Sequence, residues 1–191
     1  MSIKLGHIKF GILKSAQSVT TLEIEQFPKS MTILNAKRGK LLGRYLQLAL
    51  DGFRLVEYLS ERIPLLWTVS EDGGMFIAFE EFFTIHTGHF IPLGPKLRDL
   101  EKAEILRSKK PSESDRIIER SGHGALCLAR EARIGGELVF EEDIREWSMN
   151  RHSGRFGYDA GVKAHHLDNA AKLMTQLTKV PIRADFSKPP L

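Results

Sequence analysis

Side chains that could do chemistry are concentrated beside glycines between residues 120 and 159. Glycine lets the backbone approach a ligand closely, and binding residues are often carried by loops that a rigid scaffold positions. We therefore predict a functional site in this region. The candidate catalytic residues are His123, Arg155 and Asp159, and the candidate ligand-binding residues are Ser121, Gly124, His152, Ser153 and Tyr158.

A simpler interpretation is that the glycines of this region only form turns. Arg155 and Asp159, four residues apart, would then be a surface ion pair that contributes less than about 1 kcal/mol to stability. The spacing alone favours this interpretation. A binding site requires that the two glycine-rich segments, around His123 and around Arg155, meet in space and form a cavity suited to an anion.

The short motifs of common nucleotide, hydrolase and metalloprotease sites are missing from the sequence. His86 and His89, three residues apart, could share a metal ion on a helix. Thr87 and Gly88 between them indicate a loop instead, and no cysteine or paired carboxylate completes a set of ligands. We therefore predict no metal site.

Composition restricts the cellular setting and the partners. The only cysteine, Cys127, excludes an intrachain disulfide, and burial as a small hydrophobic residue is a better expectation for it than catalysis. The net charge of +4 favours anionic partners, but dedicated nucleic-acid-binding proteins concentrate their basic residues more strongly. Without an apolar run of membrane length or a signal peptide, we expect a cytoplasmic protein, or one secreted without a cleaved leader into another cytosol, with no membrane span.

The 191 residues suit one α+β domain, with a mixed or antiparallel sheet, an N-terminal helical segment and a C-terminal packing helix. Within residues 1–64, two β-rich runs predict strands, and the apolar stripe that follows predicts helix. Gly43 and Gly52 weaken that helix, so two shorter helices are an alternative. The predicted strands are Ile3 to Leu13 and Val19 to Glu25, and the predicted helical stretch is Met31 to Arg62.

Residues 65–186 are predicted to be β-rich, with an insertion at 81–119. The turn chemistry of Ser70 to Gly74 predicts a hairpin, and an acidic turn at Glu141 to Asp143 predicts a second strand pair. Residues 81–100 are rich in glycine and proline and predict a loop. The other predicted elements are strands at 65–69, 75–79, 134–140, 144–150 and 180–186, helices at 96–110 and 163–179, and a flexible loop at 109–115.

Three short blocks of the sequence resemble the signature of a domain found in plant IQ-motif calmodulin-binding proteins and in bacterial effector and polymorphic-toxin proteins. That signature runs His-Ser-Ser-Phe/Leu, then Ala-Gly-Glu/Arg-Leu/Ile after a glycine pair, then Ser-Gly-His-Tyr. The resemblance covers about 100 of the 191 residues. The matching blocks are His123-Gly124-Ala125-Leu126, Gly135-Gly136-Glu137-Leu138 and Ser153-Gly154-Arg155-Phe156.

The resemblance implies an AMP transferase that uses ATP and depends on a serine, a histidine and a downstream acid. His123 would act as the general base and Asp159 as the acid that orients it. Arg155 would clamp a phosphate or the transition state, and Ser153 would donate a hydrogen bond to phosphate. Arg155 stands where the family has its histidine, and an arginine remains protonated and is not a base near neutral pH.

The leading hypothesis is thus an effector- or toxin-type domain that binds a nucleotide, with ATP as the expected cofactor, or another phosphorylated ligand, and that transfers a nucleotide fragment to a protein if catalysis is retained. His152 is a second candidate base. Because Gly124 and Ala125 replace the serines of the first block, the alternative is a non-catalytic interaction protein, such as an immunity protein, antitoxin or adaptor. A third and weaker alternative is an ADP-ribosyltransferase toxin that uses NAD.

Overall fold

The computed structural model describes residues 3–84, 88–92, 118–128, 130–156 and 161–186. Its centre is a six-stranded mixed sheet in the order β1-β3-β2-β7-β8-β9, in which only β8 and β9 pair in parallel, and a smaller antiparallel sheet has the order β5-β4-β6. The predicted α+β class is confirmed. The strands are β1 (Thr32–Ile33), β2 (Leu65–Ser70), β3 (Met75–Phe79), β4 (Glu81–Thr84), β5 (His89–Pro92), β6 (Ile118–Ser121), β7 (Ala132–Glu141), β8 (Glu146–Met149) and β9 (Ile182–Ala184).

Helices cover both faces of the large sheet. They are α1 (Ile3–Phe10), α2 (Thr21–Glu25), α3 (Ala36–Leu50), α4 (Arg54–Arg62) and α5 (Ala164–Thr178), with a 3₁₀ helix at His123–Cys127. No described helix is long and apolar enough to cross a membrane.

The main core lies between the sheet and helices α3 and α5. Side chains alternate across a strand, so every second residue of β2 points to this side. Leu65, Trp67 and Val69 accordingly belong to one buried cluster with Leu46 of α3 and Leu167 of α5. The amphipathic patterns of α3 and α5 in the sequence therefore predicted the main layer correctly.

Two glycines bring α3 very close to the end of α5. A Cβ atom added at Gly39 would lie 2.5 Å from the carbonyl oxygen of Leu177, and one at Gly43 would overlap the carbonyl oxygen of Thr178. From the sequence, Gly43 is expected only to weaken the helix, but in the structure Gly39 and Gly43 allow two backbones to pack. Gly52, with φ of +86°, separates α3 from α4, so the alternative of two shorter helices is confirmed.

The opposite face of the sheet carries the 3₁₀ helix and α2. Leu66 of β2 and Ala78 of β3 point to this side and form a small buried cluster with Leu126 of the 3₁₀ helix. The first glycine-rich segment of the sequence is therefore held against the sheet by burial of the apolar residues that follow it. This second layer positions the candidate site.

Several predictions for the first half of the chain are wrong. Ile3 to Leu13 and Val19 to Glu25 are mainly helices α1 and α2 rather than strands. In α2, the Thr20 hydroxyl accepts from the Glu23 amide while the Glu23 carboxylate accepts from the Thr20 amide. Such a capping box stabilises a helix start and overrides the β propensity of the run. Residues 81–100 contain β4 and β5 instead of only a loop.

The remaining strand and helix predictions are confirmed with small shifts of their boundaries. The hairpin is β2–β3, the second strand pair is β7–β8, and the C-terminal helix and strand are α5 and β9. In the hairpin turn, hydrogen bonds from the Ser70 hydroxyl and, second, the Gly74 amide lower the pKa of Asp72. The predicted helix at 96–110 and the loop at 109–115 lie outside the described residues.

Candidate functional site

Arg155 forms a bidentate ion pair with Glu23, which was not among the predicted site residues. Its Nη2 lies 2.7 Å from Oε2 of Glu23 and its Nε lies 3.4 Å from Oε1. The Glu23 side chain is completely buried, whereas that of Arg155 is 24% exposed. The paired geometry fixes the plane of the guanidinium group, so Arg155 has one orientation relative to the protein.

The glycine-rich segment before the 3₁₀ helix makes room for the Glu23 carboxylate. A Cβ atom at Gly122 would lie 2.8 Å from Glu23 Oε1, and one at Gly124 would lie 3.0 Å from the same atom. Both are closer than a carbon atom normally comes to an oxygen. Gly124, predicted as a ligand-binding residue, therefore lies against Glu23, through which the two glycine-rich segments meet on one face of the sheet.

His123 is buried and faces the sheet. Its Nε2 lies 2.8 Å from the carbonyl oxygen of Gly136 in β7. A carbonyl oxygen can only accept, so Nε2 carries the proton and donates it. If His123 acts as a base from the neutral state, it must therefore act through Nδ1. The first and second blocks of the family resemblance are joined by this bond.

His152 contacts β7, whereas Ser153 makes contacts within the second glycine-rich segment. His152 Nδ1 lies 3.5 Å from Glu137 Oε2. The Ser153 hydroxyl oxygen accepts from the backbone amides of Arg155, at 3.3 Å, and Phe156, at 3.1 Å. Ser153 is almost completely buried and shapes the turn that carries Arg155.

Of the other predicted site residues, the structure describes only Ser121. Ser121 is completely buried, and its hydroxyl has no hydrogen-bond partner among the described residues. Tyr158 and Asp159 lie outside the described residues, and so does His86 of the histidine pair considered for a metal. Within the part of the chain that the structure describes, no group of three or more His, Cys, Asp or Glu side chains could hold a metal ion.

A cavity of about 470 Å³ lies beside Arg155. One wall is the turn that contains Arg155, and the other is the polar segment between α1 and α2. That segment is fixed to the start of β7, because the backbone of Lys14 exchanges two hydrogen bonds with Ala132, at 2.9 and 3.0 Å. The residues that line the cavity are Lys14, Ser15, Ala16, Gln17, Gly154, Arg155 and Phe156.

The cavity wall and the buried carboxylate are the parts that sequence reasoning missed. Thr20-x-x-Glu23 carries a readable capping pattern that would have placed Glu23 at a helix start. Nothing local in the sequence indicates that residues 14–17 face Arg155, because a distance of about 140 residues along the chain separates them. The glycine-rich segment around His123, predicted to form the cavity together with the segment around Arg155, instead forms the buried 3₁₀ helix and does not belong to the described cavity lining.

Cys127 has the environment of a structural residue, as expected. Burial, and second the nearby negative charge of Glu23, raise the pKa of its thiol to about 11. The thiol would be almost entirely protonated near neutral pH, and the thiolate is the nucleophilic form. Cys127 therefore cannot serve as an activated nucleophile in this site.

No protein-family model, curated protein or solved structure matches this chain. The resemblance to the effector and calmodulin-binding domains therefore stays a prediction that rests on its three short blocks. The candidate site is defined by the contacts of Glu23, His123 and Arg155 and by the cavity beside Arg155.

Proposed function

We propose that this chain is an effector- or toxin-type domain whose cavity beside Arg155 binds a phosphorylated ligand, with a nucleotide such as ATP as the leading class. One observation carries the proposal: Arg155 lines the cavity while a buried carboxylate holds its guanidinium group in place. Nε and Nη2 bind Glu23, and Nη1 makes no hydrogen bond to a described residue. An arginine fixed on one edge retains N–H donors for a phosphate at the other.

The size and lining of the cavity support a small anionic ligand. Its volume of about 470 Å³ falls in the range of about 300–1,000 Å³ that is typical of small-molecule sites. Ser15 and Gln17 are exposed on the wall opposite Arg155, where a hydroxyl and an amide can donate to phosphate or to ribose and base oxygens. Lys14 also lines this wall.

The rival proposal is a non-catalytic interaction protein, and the contacts of one predicted catalytic residue, His123, and one predicted ligand-binding residue, Ser153, favour it over a transferase. Nε2 of His123 donates to the Gly136 carbonyl, and the Ser153 oxygen accepts two backbone amides. Both side chains thus stabilise the turns that carry them. Nucleotide transfer to a protein therefore requires that His123 act through Nδ1 or that another base complete the site.

Calorimetric titration with ATP, and with NAD for comparison, tests the binding proposal. Gln17→Glu places a negative charge on an exposed part of the cavity wall without touching the buried ion pair. We expect it to weaken ATP binding at least about five-fold through like-charge repulsion. Gln176→Glu on the exposed side of α5 is the matched control and should leave the affinity unchanged.

Arg155→Ala provides the second measurement. Hydrogen bonds to charged groups contribute about 1.5–3 kcal/mol, so we expect the affinity for ATP to fall between about ten-fold and 100-fold. If the folded wild-type chain binds neither ATP nor NAD, or if both variants bind ATP like the wild type, the proposed site is wrong. Binding of NAD in preference to ATP would favour the ADP-ribosyltransferase alternative.

A further inference from the structure

The outer face of α3 carries three exposed basic side chains. Lys37, Lys40 and Arg44 are exposed and follow one another at helical spacing, so they share one face. Among the described residues, no carboxylate forms an ion pair with any of the three. Leu41 lies between them and is 57% exposed. This face is suited to an anionic partner that also accepts an apolar side chain.

The next helix exposes large apolar side chains. Leu55 is 70% exposed, Phe53 is 56% exposed and Tyr58 is 53% exposed. Leu59, one turn after Leu55, is also exposed. Four such residues within seven positions are more than the single exposed apolar residues that occur on most surfaces. Arg54 is exposed beside them.

The two helices form one continuous surface. They are consecutive, and the turn at Asp51–Gly52 joins them. The Tyr45 hydroxyl of α3 lies 3.0 Å from the Ser60 hydroxyl of α4, so the Tyr45 side of α3 faces α4. Leu41 lies one turn before Tyr45 and is therefore on the flank of α3 that borders α4.

We propose that this surface, which we call the α3–α4 surface, docks the protein onto a membrane that contains anionic lipids. Apolar side chains exposed by more than half can enter a lipid interface, and the neighbouring cations attract anionic headgroups. Leucine and aromatic residues next to lysine and arginine are the composition of interfacial helices. The α3–α4 surface consists of Lys37, Lys40, Leu41, Arg44, Phe53, Leu55, Tyr58 and Leu59.

Co-sedimentation with vesicles of equimolar phosphatidylserine and phosphatidylcholine tests this proposal. We expect the full chain to bind these vesicles and to bind pure phosphatidylcholine at least ten-fold more weakly. Lys40→Ala should weaken binding about five-fold, because a cation near an anionic membrane contributes about 1 kcal/mol. Leu55→Asp should weaken it at least ten-fold. These residues are exposed, so both variants should keep the thermal stability of the wild type.

Ile24→Asp is the matched control. Ile24 is 51% exposed on α2, which packs on the opposite side of the sheet from α3. The Ile24→Asp variant should bind vesicles like the wild type. The proposal is overturned if the protein does not bind vesicles or binds both lipid compositions equally. It is also overturned if the Ile24 and Leu55 variants lose the same amount of vesicle affinity. Self-association in sedimentation velocity that Leu55→Asp abolishes, without lipid binding, would instead assign the surface to a second copy of this chain.

Discussion

Removing Arg155 should destabilise the fold because its partner carboxylate has no access to water. Glu23 is completely buried. After Arg155→Ala, the main hydrogen-bond donor to its carboxylate among the described residues would be the Thr20 amide, at 3.0 Å. Breaking a buried ion pair by removing one partner costs about 3–5 kcal/mol. Because Arg155 is 24% exposed, water can partly replace it, and we expect a loss of about 3 kcal/mol.

A double-mutant cycle in urea, followed by circular dichroism, measures this interaction. The variants are Arg155→Ala, Glu23→Gln and the two combined. We expect the combined variant to be more stable than the sum of the single losses predicts, by at least about 1 kcal/mol, because Glu23→Gln removes the charge that Arg155→Ala leaves unpaired. A loss of 3 kcal/mol corresponds to a decrease in Tm of about 6–12 °C for a chain of this length.

Arg44→Ala is the matched control for the loss of one arginine. Arg44 is exposed and forms no ion pair with a described carboxylate, so this change should alter stability by less than about 0.5 kcal/mol. The reasoning about Glu23 is refuted if Arg155→Ala costs no more than Arg44→Ala, or if the cycle gives no coupling. Either result would mean that water reaches the Glu23 carboxylate.

Three further predictions concern packing and reactivity. Gly43→Ala should lower the free energy of unfolding in urea by about 3 kcal/mol, because the added Cβ would overlap the Thr178 carbonyl. Gly154→Ala is the control. Its Cβ would have nothing within 4 Å, so stability should change by less than about 0.5 kcal/mol. Arg133→Met should cost at least about 3 kcal/mol, since this buried guanidinium donates to the backbone carbonyls at the end of α1 and in the β2–β3 turn; an unchanged urea midpoint would contradict this. Cys127, with its pKa raised to about 11, should react with iodoacetamide at pH 8 far more slowly in the native than in the urea-unfolded protein, and equal rates would show that the thiol is accessible.

The elements whose patterns reflect burial on one side could be predicted from the sequence. The apolar stripes of α3 and α5 and the turn chemistry of Ser70 to Gly74 gave the main layer and its hairpin. The α1 and α2 runs could not be assigned in this way, because short apolar runs do not distinguish strand from helix. Their structure depends on a capping box in α2 and on packing of α1 against α5.

The candidate site could be predicted only in its C-terminal part. Glycines and polar residues near His123 and Arg155 indicated which turns would lie close together in the structure. The sequence could not show that Glu23 pairs with Arg155 across 132 positions, because a buried glutamate looks like any surface glutamate in a sequence. It also could not show that residues 14–17 form the opposite wall, since their position depends on the backbone bridge between Lys14 and Ala132.

The glycines around His123 are needed for a different physical reason from the one that the sequence suggests. Gly122 and Gly124 open space that a protein carboxylate fills, so an internal anion occupies one edge of the Arg155 guanidinium and a ligand can reach only its remaining N–H groups. Under the proposed function, Arg155 would serve stability and binding through different donors of one side chain. A substitution of Arg155 would then affect both properties, whereas Gln17 lines the cavity from an exposed position. For this reason, changes in the exposed wall can separate ligand affinity from the stability of the buried pair.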